Sequence, residues 1–100
     1  MKTVYFTIAG ANFRFGTDFM KKGMKVRLVK EPDNKYDQEA IRCEMEGFGH
    51  VGYVANSTKT VIGESYSAGR LYDKIGKKAK GKIFCVTPQG VLCKIDLEDK

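Results

Sequence analysis

Period-two alternation of apolar and polar residues, broken at short intervals by turn-forming groups, limits this chain to a mainly β fold. Met24, Val26 and Leu28 alternate with Lys25 and Arg27, and Ile41, Cys43 and Met45 with Arg42 and Glu44. Val91, Cys93, Ile95 and Leu97 repeat the pattern against Lys94 and Asp96, with Leu92 departing from it on the outward side. Successive side chains of a strand point to opposite faces, so each run buries one face and wets the other. Three more runs read as strands: Val4 to Ala9, His50 to Val54 and Lys80 to Val86. The breaks between them hold turn chemistry, with Pro32, Asp33, Asn34 and Asp37 in one, Gly47-Phe48-Gly49 in another and Thr87-Pro88-Gln89-Gly90 in a third. Ala11 to Gly23 lacks sustained periodicity and reads as an ordered loop.

Two short helices are predicted. Asn56 or Ser57 caps one running towards Val61 and Ile62 and ended by Gly63; Ser67 caps another through Arg70, Leu71, Tyr72 and Ile75, ended by Gly76. Leu71 and Ile75 share one face of it. About six strands and two short helices within one domain, residues 1–100, predict a small closed or nearly closed β-barrel, because closure removes exposed strand edges. A two-layer α+β sandwich is the alternative, since Leu71 and Ile75 must also find cover. With 42% apolar and 30% charged residues the balance is that of a globular chain. No apolar run approaches the roughly 20 residues of a membrane span, and neither a leader segment nor a C-terminal lipidation cysteine is present, so no membrane partner and a cytoplasmic protein are expected.

Catalytic patterns are poor. Cys43, Cys85 and Cys93 form an odd set without a C-x-x-C pair, and Cys43 and Cys93 alternate with apolar neighbours as small buried hydrophobes do. A zinc site would have to recruit His50, the single histidine, and no phosphate-binding loop motif occurs. Glu31, Asp33 and Asp37 could bind a metal or, equally, scaffold an Asx-type turn. The expectation is a binding protein, not an enzyme, without metal or cofactor.

Cations and rings are better placed. A formal charge of +6 favours polyanions. Lys74, Lys77, Lys78, Lys80 and Lys82 crowd one segment that can track a phosphate backbone; the alternative is a solvated loop with lysines guarding a strand edge. Lys21, Lys22 and Lys25 form a second group. Phe13, Arg14, Phe15 and Phe19 set rings beside a cation, either to stack on unpaired bases or to plug the barrel end, the second being preferred for Phe19.

The run Val29-Lys30-Glu31-Pro32-Asp33-Asn34-Lys35-Tyr36-Asp37-Gln38-Glu39-Ala40-Ile41 resembles the signature of the HIRAN domain, an extended strand followed by E/D-P-x-N-x-Y-D-x-x-A-I. His50-Val51-Gly52-Tyr53-Val54 is similar to the family's G-[YH]-[VIL] strand, and Ile8-Ala9-Gly10 with Phe13-Arg14-Phe15-Gly16 to its aromatic loop. The similarity spans roughly residues 5 to 97, so the chain looks like a stand-alone domain.

That resemblance implies an OB-like barrel that binds single-stranded DNA and captures a free 3′ end, as in eukaryotic members fused to translocases that remodel stalled forks. It implies a DNA-repair setting, with a DNA-processing protein as a further partner. Tyr36 matches the family tyrosine that stacks on a terminal base, Asp37 the aspartate that bonds the 3′-hydroxyl, and Asn34 belongs to the same turn. Tyr36 and Asp37 locking the turn is the structural alternative. Where the family often has two adjacent tyrosines, Phe13-Arg14-Phe15 interposes an arginine. Where DNA-binding members have a lysine after the Gly52-Tyr53 equivalent, this chain has Ala55-Asn56-Ser57. Arg14, or the amides at a helix N-terminus beginning at Asn56, would replace that phosphate contact. The expected interface is thus Asn34, Tyr36, Asp37, Tyr53 and Asn56, with Phe13, Arg14, Phe15, Lys77 and Lys78. The competing function is a protein-interaction adaptor that takes a peptide or carboxy-terminus.

Overall fold

A computed structural model describes residues 2–11 and 16–97. Its strands are β1 (Lys2–Ala9), β2 (Lys25–Lys30), β3 (Ile41–Met45), β4 (Gly49–Val54), β5 (Lys78–Thr87) and β6 (Gly90–Leu97), with one helix, α1 (Ala68–Tyr72), between β4 and β5. The strands close into an antiparallel barrel in the order β1-β4-β3-β2-β5-β6. This is the OB-like barrel rather than the sandwich. Each strand places its alternate apolar residues inward: Val26 and Leu28 on β2, Ile41, Cys43 and Met45 on β3, and Val91, Cys93 and Ile95 on β6 are all buried. Burial raises the Cys93 thiol to about 12 and that of Cys43 well above its usual range, so both are held as neutral packing groups.

Closure demands close approach at two glycines. A Cβ at Gly52 would lie 2.6 Å from the Ala9 carbonyl oxygen, and one at Gly81 would lie 2.7 Å from that of Lys94 and 3.0 Å from the Phe6 ring. Only a residue without a side chain lets β4 and β5 curve in at these points.

One short helix is found where two are predicted. Ser67 caps α1 by accepting from the Arg70 amide, and Ala68 and Leu71 join the core, with Ile75 packed against it. After Asn56 there is a single turn: the Ser57 carbonyl accepts from the Thr60 and Val61 amides, and the chain then leaves helical geometry. The competing partner is the fully buried Thr7 on β1. Its hydroxyl accepts from the Ile62 amide at 3.1 Å and lies 3.0 Å from the Ser65 hydroxyl. A buried hydroxyl must be hydrogen-bonded, and β-branched Thr58, Thr60 and Val61 are weak helix formers, so the segment lies over β1 instead of coiling. Among the described residues no helix is long and apolar enough to cross a membrane.

Candidate functional site

The connection from β2 to β3 holds itself in one shape through Asn34. Its Oδ1 accepts from the Tyr36 amide (2.9 Å) and the Asp37 amide (3.1 Å), and its Nδ2 donates to Glu31 Oε1 (2.9 Å). This Asx arrangement explains why Pro32 and Asn34 stand where they do. Glu31 anchors the turn to the barrel wall: Tyr53 Oη donates to Oε1 at 2.9 Å and Arg42 Nη1 to Oε2 at 3.0 Å, while Arg42 Nε lies 2.7 Å from Glu44 Oε2. Of the two uses open to Glu31, the structure shows the scaffold.

Burial alone would raise the Glu31 carboxyl, but hydrogen bonds from Asn34 and Tyr53 and the charges of Arg42 and His50 outweigh it and hold the group below its usual value. A depressed carboxyl contributes stability above its unfolded pKa and loses it as pH falls through the folded one. Thermal midpoints should therefore fall as the pH is lowered through 4.5. Glu31→Gln should lower the midpoint at neutral pH, by about 1 kcal/mol in stability, and flatten this acid limb. An acid limb of equal slope in wild type and variant would remove Glu31 as its source.

Asp37 faces the other way, towards the helix. Its Oδ1 accepts from the Glu39 amide (2.9 Å) and its Oδ2 from Asn56 Nδ2 (3.0 Å). Asn56 Oδ1 in turn accepts from the Gly69 amide (2.8 Å) within α1. Asn56 is therefore a bridge between the turn and the helix, not the cap of a helix of its own. A carboxylate has about four acceptor positions, so Asp37 keeps capacity after these two bonds.

Tyr36 stands at the crest, 97% exposed. Of the chain's five tyrosines it is the one whose ring and hydroxyl meet no side chain among the described residues. Tyr5 packs edge-on to Phe84 and Tyr53 to His50, while Arg70 lies over Tyr66 and Lys30 over Tyr72.

The barrel thus brings Asn34, Tyr36, Asp37, Tyr53 and Asn56 into one hydrogen-bonded assembly. Lys78 lies on the same cross-barrel row as Tyr53, through Val29 and Arg42, about 14 Å away at ordinary strand spacing. Lys77 accepts the Lys30 amide with its carbonyl and is exposed. Phe13, Arg14 and Phe15 lie outside the described residues. Phe19 is partly buried against the core and stacks on Phe48 at 3.9 Å. Sequence reasoning missed Arg42, whose outward position on β3 was legible but whose partner Glu31 was not.

The site is thus a hydrogen-bonded, ring-bearing turn set on a small closed barrel. Residues 1–87 match the HIRAN domain, and the chain belongs to this family of nucleic-acid-binding modules. The matched stretch ends with β5, although β6 completes the barrel. No curated protein and no solved structure matches the chain.

Proposed function

We propose that the protein binds single-stranded DNA at a free 3′ end, without catalysis, using the turn from Glu31 to Asp37 as the reader. The observation that carries this is the Tyr36 ring, wholly exposed on a turn whose backbone is fixed beneath it. An exposed aromatic face costs solvation until something covers it, and a base covers it without regard to sequence. Beside it the Asp37 carboxylate accepts a hydrogen bond from a terminal hydroxyl and repels a terminal phosphate. Asn34 holds the geometry of both. Asn56 fixes the carboxylate from behind, while Lys77, Lys78 and Arg14 supply phosphate contacts and Phe13 and Phe15 further stacking.

The test is fluorescence anisotropy of a short oligonucleotide ending in a 3′-hydroxyl or a 3′-phosphate. The hydroxyl form should bind at least several-fold more tightly, as a charge-assisted hydrogen bond is exchanged for like-charge repulsion. Equal affinity for the two ends would reduce the site to a generic basic surface. Binding indifferent to salt would instead favour a peptide as ligand, because phosphate contacts weaken steeply as salt rises.

A further inference from the structure

On the outer wall of the barrel, β2, β5 and β6 carry three lysines in direct register. Lys25 pairs with Lys82, and Lys82 with Lys94. Tyr5 continues the row opposite Lys94, and its ring packs against Phe84, over which Lys22 lies at 5.4 Å. Like charges directly opposite one another destabilise a sheet. The usual reason to tolerate lysines on a strand is to guard a free edge, but Lys82 has a paired strand on both sides. Among the described residues none of the three lysines forms an ion pair. They line a groove of about 500 Å³ whose carboxylate, Asp96, accepts from the Thr3 hydroxyl. Among the described residues the row therefore holds three cations without an ion-pair partner, with Asp96 the one carboxylate lining the same groove.

We propose that this ladder is a second nucleic-acid contact, gripping the phosphodiester backbone of the strand whose end is held at the turn. The reading rests on the proposed end capture only for its direction. Neighbouring strands set the lysines about 5 Å apart, so the row spans about 10 Å, with Lys80 about 6.7 Å further along β5. That grid is on the scale at which successive phosphates of an extended strand recur. Lys25 lies at the far end of β2 from the turn, about 17 Å from Lys30 at ordinary strand rise. At the grid's own spacing of about 6.7 Å per nucleotide, an extended strand reaches the ladder about three nucleotides from the captured end.

The predicted signature is therefore a dependence on ligand length. The variant replaces Lys25, Lys82 and Lys94 together with glutamine, and the ligands are 3′-hydroxyl single strands of about 2 and about 15 nucleotides, followed between about 50 and 200 mM salt. For the longer strand the variant should bind roughly tenfold or more weakly, and the slope of log affinity against log salt should fall by about 2. The shorter strand should bind as to wild type, which a mere loss of net charge would not allow. The variant should melt no lower than wild type, since opposed like charges have been removed. An unchanged salt slope with the longer strand overturns the ladder, whatever happens at Tyr36. Loss of the 3′-hydroxyl preference in wild type would overturn the reading of the turn and leave the ladder standing. A wild-type chain that binds neither strand overturns both.

Discussion

Tyr36→Ala is expected to weaken binding of a short 3′-hydroxyl single strand by roughly 5- to 150-fold while leaving the fold intact. The size follows from base–ring stacking, worth about 1–3 kcal/mol for each base by alanine substitution. The sparing of the fold follows from exposure. With the side chain 97% in solvent, its removal takes no contact from the core, and substitutions of that kind usually stay within about 0.5 kcal/mol of wild type. The Tyr36 amide remains bonded to Asn34, so the turn keeps its shape and Asp37 its place. Anisotropy titration of both proteins, with thermal melts run alongside, separates the two effects. Unchanged affinity at unchanged stability would remove Tyr36 from the interface. A fall in melting temperature would mean that the ring has a structural partner.

Phe6→Ala is expected to be the more destructive change, lowering stability by about 3–5 kcal/mol. Phe6 is fully buried at the centre of β1, and its ring packs where Gly81 leaves room on β5. The space cannot collapse easily, because β1 is paired to both β4 and β6 and the barrel is closed around it. Set against a total of about 5–15 kcal/mol for a typical domain, this loss leaves little margin. For a chain of this size it corresponds to a fall of tens of degrees in thermal midpoint. A shift of only a few degrees would show that the core relaxes around the cavity. Gly81→Ala should also destabilise, because its methyl group would meet the Lys94 carbonyl oxygen at 2.7 Å before it meets the Phe6 ring at 3.0 Å.

Much of the fold was legible because strand formation is local. Alternation placed β2, β3 and β6 to within a residue or two, and Pro32, Asn34 and Gly47 marked the connections. The Ser67 cap and the spacing of Leu71 announced α1. The segment after Asn56 carried equally plausible capping signals, yet it does not coil, because the hydroxyl that draws in its Ile62 amide sits on Thr7, on the first strand. No window along the chain contains both residues.

The candidate site divides in the same way. Tyr36, Asp37 and Asn34 stand together in sequence, and their turn chemistry is their own. Glu31's hold on Arg42 and Tyr53, and the bridge from Asp37 through Asn56 to Gly69, join residues far apart in the chain.

The lysines show the limit most sharply. By sequence, Lys74 to Lys82 form one group and Lys21 to Lys25 another. In the barrel, Lys82 instead belongs with Lys25 and Lys94, and the lysines counted as guards of a strand edge include one with strands on both sides. Which residues can form a strand or a tight turn was settled by the sequence itself, through side-chain alternation and the backbone preferences of Pro, Gly and Asn. Which charges share a face was decided only by tertiary structure, because cross-strand register depends on how the whole sheet twists and closes, and a shift of one residue would turn every side chain of a strand to the opposite face.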